Sequence, residues 1–175
     1  MKGENKFCLT FAGAVGSSKT PISNYLSTRL LLPVFNNDAI RTEVIEDLGV
    51  LDSKEYLKRR DLRLEEIIKS GNSFIYDASV DRVWKKLKEK LTLFSYDFFI
   101  VSLDLSKELL IKLYQSKRYL INLKRIDELI QDHNNFLDQY LKDVGLQIKD
   151  GDFINRMQIS YSGVKNYLER KNNIR

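Results

Sequence analysis

The chain has 175 residues, 43% of them hydrophobic and 30% charged, with a formal net charge of +5. This balance fits one globular domain over residues 1–175 with a sizeable core and excludes a disordered chain. No apolar run approaches the roughly 20 residues of a membrane span, the N-terminal residues show no apolar signal core, and the lone Cys8 allows neither an intrachain disulfide nor a cysteine-based metal cluster. The expectation is a cytoplasmic protein with no membrane partner. The charge is too mild to choose between nucleic acid and small anions. Its distribution is more specific: residues 112–125 hold Lys112, Lys117, Arg118, Lys124 and Arg125 and no acid.

The first element is an apolar, β-prone run from Phe7 that enters the turn Gly13-Ala14-Val15-Gly16-Ser17-Ser18-Lys19-Thr20. A helical segment follows, so the order is strand, phosphate loop, helix. The turn nearly fits the Walker A pattern G-x-x-x-x-G-K-[ST], with Ser18 in place of the second glycine. Glycines let backbone N–H groups face an anion, and a helix N-terminus adds its positive end. Residues 13–20 are therefore the candidate nucleotide cradle. Lys19 would reach the β- and γ-phosphates, and Thr20 would help hold Mg²⁺. Two residues depart from the pattern. Ser18 carries a Cβ into a position where φ > 0 costs free energy, and Pro21 has no N–H to donate. The plainer reading is a glycine-rich turn with no nucleotide.

A helix is predicted over 20–32, with Ile22, Leu26 and Leu30 at fourfold spacing. Pro33-Val34-Phe35 reads as a strand and Asn36-Asn37-Asp38 as the start of a helix that continues over 39–47. Residues 53–70 form the next helix, stopped by Gly71. A strand over 73–76 ends at Asp77, and a helix over 82–93 packs through Trp84, Leu87 and Leu91. The run 97–104 is a strand covered on both faces. Helices follow over 106 to about 121, capped by Ser106, over 126 to about 142, and over 153–170. Leu146-Gln147-Ile148 is the candidate for a fifth strand. The alternation predicts an α/β three-layer fold, a mostly parallel sheet of four or five strands with helices on both faces, and ligands bind such sheets at the C-terminal strand ends.

At those ends stand Asp38 and Arg41, three residues apart and so on one helix face, then Asp77, then the cationic stretch 112–125. Phosphoryl transfer uses such a set: an anion cradle, a carboxylate for the nucleophile, a carboxylate near the metal and cations over the transferring group. Each residue also has a plainer role. Asp38 can be a helix N-cap, Asp77 a strand-end turn residue, Arg118 a solvated arginine. His133, on an apolar helical face, reads as a core histidine, Trp84 as packing, Asp104 as a helix cap and the Lys58–Arg63 cluster as solvent-facing.

Gly13 to Thr20, then Asn37-Asp38-Ala39-Ile40-Arg41, then Ile75-Tyr76-Asp77-Ala78-Ser79, resemble the small P-loop kinases of the polynucleotide kinase and zeta-toxin type, within the P-loop NTPase superfamily that includes AAA-type ATPase-like domains. The resemblance covers about 7–125. It implies that Lys19 and Thr20 bind nucleotide phosphates and Mg²⁺, that Asp38 is the base for the acceptor hydroxyl, and that Arg41 positions the acceptor. It implies that Asp77 stands near the metal or acceptor, and that Arg118, with Lys117 or Arg125, is a lid cation. The expected activity is transfer of the γ-phosphate of ATP or GTP to a hydroxyl. The acceptor is a nucleic-acid 5′ end, a nucleotide sugar or a small metabolite. Ser18 and Pro21 motivate a second reading, a nucleotide-binding or regulatory module without transfer, and the resemblance alone raises a toxin-like kinase. No oligomeric state follows from the sequence.

Overall fold

The computed structural model describes residues 6–173; residues 1–5 and 174–175, which the single-domain reading includes, lie outside the described residues. Strands β1 (Phe7–Ala12), β2 (Val34–Asn36), β3 (Phe74–Ser79), β4 (Asp97–Leu103) and β5 (Val144–Ile148) form one sheet in the order β2-β3-β1-β4-β5. Every pairing is parallel. The sheet is thus wholly parallel where the sequence predicts a mostly parallel one. Side chains alternate across it. Phe7, Leu9 and Phe11 of β1 and Phe99, Val101 and Leu103 of β4 enter one core, while Cys8, Ala12 and Ile100 enter the other. Burial on both faces explains the near-continuous apolar strands.

Helices α1 (Lys19–Leu30), α5 (Lys107–Lys117) and α8 (Arg156–Asn173) cover the first face; α3 (Ser53–Ser70) and α4 (Trp84–Leu93) cover the second. Helix α7 (Ile126–Tyr140) gives Ile126 and Leu129 to the first core and Phe136 to the second. Helix α2 (Asn37–Leu48) pairs with α3, and the five-residue α6 (Leu120–Lys124) links α5 to α7. No helix among the described residues is long and apolar enough to cross a membrane.

The differences from the expected elements have local causes. Helix α5 stops at Lys117, not near 121, because Arg118 turns left-handed (φ 57°) and its N–H returns to the carbonyls of Gln115 and Tyr114. Strand β3 runs past Asp77 to Ser79 because β1 still pairs there, Phe11 opposite Ser79. The fifth strand forms at 144–148. Its Gly145 lies against the Phe99 ring, where a Cβ would fall 2.4 Å from Cε2. Helix α8 begins at Arg156, since Asp150–Asn155 is a 3-10 turn. Asn36, not Asp38, caps α2, its side chain accepting from the Asp38 N–H at 2.8 Å. Ser106 caps α5, and Asp104 makes no cap: its N–H donates to the Ile148 carbonyl. Trp84 packs edge-on to Phe98 and donates to Asp143, and His133 is a core histidine, as expected.

Candidate active site

The turn between β1 and α1 sits at the C-terminal edge of the sheet, in its centre. Gly13 (φ 127°) and Gly16 (φ 77°) occupy backbone that side chains rarely adopt, and each is also enclosed. A Cβ on Gly13 would meet the Leu103 carbonyl at 2.9 Å, and one on Gly16 the Tyr114 ring at 2.9 Å. Ser18 takes the same left-handed region, φ 84° and ψ 26°. For a residue with a Cβ this costs roughly 1–2 kcal/mol. The Ser18 hydroxyl makes no cap to α1; it accepts from Arg156 Nε at 2.9 Å.

Lys19 folds back under the turn. Its ammonium donates to the carbonyls of Gly13 (2.8 Å) and Ala14 (2.6 Å) and to Ser17 Oγ (3.3 Å). Burial pushes its pKa down to about 8, against the pull of the Asp81 and Asp77 charges. Lys117 Nζ, at the end of α5, donates to the Gly16 carbonyl at 2.7 Å. Burial lowers the Lys117 pKa, and the Arg156 charge lowers it further. Positive charge thus gathers around a turn made of backbone dipoles, which suits an anion.

Across the turn, Thr20 Oγ1 donates to Asp77 Oδ1 at 3.3 Å. Asp77 is buried, and burial raises its pKa; the Thr20 bond and Lys19 oppose this, while the Asp38 charge adds to it. Asp38 is exposed on α2, its carboxylate free of the capping role that Asn36 takes. One turn on, the Arg41 guanidinium lies 5.7 Å from the Tyr56 ring centre, and Arg60 lies 5.8 Å from the same ring.

Lys19, Thr20, Asp38, Arg41, Tyr56, Asp77 and Lys117 share one cleft of about 470 Å³. Of the residues singled out in the sequence, Val15, Gly16, Ser18, Lys19, Thr20, Pro21, Asp38, Arg41, Asp77 and Lys117 line it. Gly13 and Ala14 line a smaller neighbouring cavity of about 260 Å³, and Ser17 is buried beneath the turn. Arg118 is not brought in. It is exposed at the left-handed end of α5, and its neighbour Lys117 faces the cleft. Arg125 pairs with Glu128 beside the smaller cavity.

Sequence reasoning missed Tyr56, Tyr119, Asp81 and Arg156. Asp81 accepts the Gly13 N–H on both oxygens (3.0 and 3.2 Å) and meets His133 Nδ1 at 3.2 Å, while His133 Nε2 meets Ser102 Oγ at 3.3 Å. Burial would raise the Asp81 pKa, but His133, the Gly13 N–H and Lys19 together hold it below the ordinary carboxylate value. Only the tertiary fold brings these residues together. An acid four residues beyond Asp77 was the one available signal.

The donor set tests which ions fit. Among the described residues no group of three His, Cys, Asp or Glu side chains could hold a metal. The adjacent Thr20 and Asp77 oxygens fit Mg²⁺ of the kind that arrives on a nucleotide and takes most of its ligands from phosphates and water.

No protein-family model and no curated protein matches the chain. Solved structures do match in fold. A candidate kinase from Chloroflexus aurantiacus shares 17% identity over 97% of this chain and 99% of that one, with a TM-score of 0.66. The APS kinase CysC of Mycobacterium tuberculosis, in complex with AMPPNP and APS, shares 15% over 92% and 98%, with a TM-score of 0.63. A chain of the PezAT toxin-antitoxin system of Streptococcus pneumoniae shares 18% over 83% and 67%, with a TM-score of 0.59. The chain has the α/β fold of the P-loop kinases.

Proposed function

We propose that residues 1–175 form one phosphotransferase domain that moves the γ-phosphoryl group of ATP or GTP to a hydroxyl acceptor. The observation that carries this reading is the meeting of Lys19, Thr20, Asp38, Arg41 and Asp77, delivered from the ends of three strands, in one cleft. Asp38 takes the proton of the acceptor hydroxyl. The acceptor oxygen forms the new bond to the γ-phosphorus as the bond to the β–γ bridging oxygen breaks, and the nucleoside diphosphate leaves. Lys19 holds the negative charge on the transferring and leaving oxygens, and Lys117 flanks it at Gly16. Thr20 and Asp77 would hold Mg²⁺, which when bound would neutralise phosphate charge. Arg41 positions the acceptor, with Tyr56 beside it. Arg118 stands outside the cleft, so Lys117 takes the role of its cation.

A second reading, nucleotide binding without transfer, draws on Pro21 and on the left-handed Ser18. Calorimetric titration with Mg-ATP and Mg-GTP tests both. Binding by the wild type and its loss in Lys19→Ala supports the phosphate loop. Transfer to an acceptor, screened from 5′-hydroxyl oligonucleotides through nucleosides to sugars, and its loss in Asp38→Asn with binding retained, supports the kinase. Binding with no transfer to any acceptor supports the module. No binding of either nucleotide at millimolar concentration overturns both.

A further inference from the structure

Position 18 poses a physical problem. It needs left-handed backbone, at φ 84°, yet carries a serine and lies buried. Glycine would hold that conformation at no steric cost, whereas serine loses free energy there. What offsets the loss comes from the C-terminal third of the chain, 138 positions away in sequence. Arg156, the first residue of α8, directs its guanidinium onto the loop and donates from Nε to Ser18 Oγ at 2.9 Å. The same planar group donates from Nη1 to the Phe153 carbonyl at 2.7 Å and lies 4.2 Å from the Phe153 ring centre. Arg156 is therefore fixed by the 3-10 turn before α8, and it presents a fixed donor to the serine. A charge-assisted bond of this kind is among the stronger hydrogen bonds. It exists only because position 18 has a hydroxyl.

We propose that Arg156 is a positioning residue for the phosphate loop: it acts through the Ser18 hydroxyl to hold residues 16–20 in their anion-cradling shape, replacing by a tether to α8 what a glycine supplies by lacking a Cβ. The loop is then gripped from two helices, by Lys117 of α5 at the Gly16 carbonyl and by Arg156 of α8 at Ser18. Arg156 does not itself line the cleft. The inference rests on the phosphate-loop reading for its consequence in nucleotide binding, but the tether itself is measurable without nucleotide.

The test is a double-mutant cycle between Arg156→Ala and Ser18→Gly, read in two ways on the full chain. The first readout is amide hydrogen exchange at residues 16–20. Arg156→Ala is expected to speed it about tenfold in the wild-type background, the scale of one lost charge-assisted bond, and less than about twofold in the Ser18→Gly background, where no strain remains to be held. Ser18→Asn, which tolerates left-handed backbone and offers a side-chain acceptor, is expected to keep wild-type exchange rates. The second readout is Mg-ATP affinity, with the same expected pattern of a tenfold loss in one background and a small one in the other. Equal effects of Arg156→Ala in both backgrounds, in exchange or in affinity, overturn the proposal, since they mean that Arg156 acts independently of Ser18. No effect in either background overturns it as well. If the wild type binds no nucleotide, the proposed function falls, and the exchange cycle still decides the tether.

Discussion

The chemistry of the cleft concentrates in Lys19, whose ammonium is buried among carbonyls and whose pKa is pushed down to about 8. Phosphates raise the pKa of a neighbouring ammonium, so the bound state holds its proton to higher pH than the free one. The sign follows: affinity is full below the free-state value and falls as pH rises beyond about 8, with a proton taken up on binding in that window. Calorimetric titrations of Mg-ATP from pH 7 to 9.5, in two buffers of different ionisation enthalpy, should show weakening affinity and net proton uptake above pH 8. A flat profile would mean that Lys19 does not meet the phosphates.

Asp81 links the turn to the core. It stands between the Gly13 N–H and His133, and removal of the carboxylate leaves both donors buried without an acceptor. Asp81→Ala is expected to cost about 3 kcal/mol, read as a lower urea midpoint. Because its folded-state pKa is depressed, Asp81 contributes stability that is present above the ordinary carboxylate value of 3.8 and lost as pH falls below it. The variant should therefore lose less stability than the wild type on acidification. At this scale the sequence was uneven. The placement of Lys19, Thr20 and Asp38 in the cleft was legible because a strand end followed by a helix start puts them at one edge, and that of Asp77 because it lies near the C-terminal end of a buried strand. Asp81 and Arg156 were not, because nothing local distinguishes them from other charged residues.

Among the elements, the end of α5 decides which cation faces the cleft. Lys117 and Arg118 are adjacent, and both were readable as lid cations. One left-handed residue separates their fates: with φ 57° at Arg118 the helix ends, Lys117 turns to Gly16 and Arg118 turns out. A periodicity argument that extends the helix to 121 cannot make this choice. Lys117→Ala should weaken Mg-ATP binding about tenfold or more, the loss expected from one charged hydrogen-bonding group. Arg118→Gly should instead raise stability by about 1 kcal/mol, since glycine takes the left-handed cap without steric cost. Thermal melts and titrations of both variants check the pair. The opposite ranking in binding would return the role to Arg118. Strand β5 was faint for a related reason. It is an edge strand with a glycine packed on Phe99, and only Ile148 of its five residues is buried.

Over the whole molecule, the C-terminal third, which carried no motif, closes the sheet on both faces. Helix α7 feeds Ile126 and Leu129 into one core and Phe136 into the other, β5 completes the sheet, and α8 covers α1 and delivers Arg156 to the loop. The Phe136 ring also lies 6.2 Å from His133, nearly parallel to it, so the support of Asp81 and the second core share a wall. If both faces belong to one domain, they unfold together. Phe136→Ala should cost about 4 kcal/mol, a fall in Tm of roughly 10 °C for a chain of this length. The single Trp84 reports on the second core alone, while helical circular dichroism reports on the entire sheet-and-helix assembly. Coincident transitions by the two probes, shifted equally by Phe136→Ala, are the expected result. A Trp84 transition that moves while the helical signal stays would divide the chain into separate units, and the core under His133 would then loosen without the turn between β1 and α1.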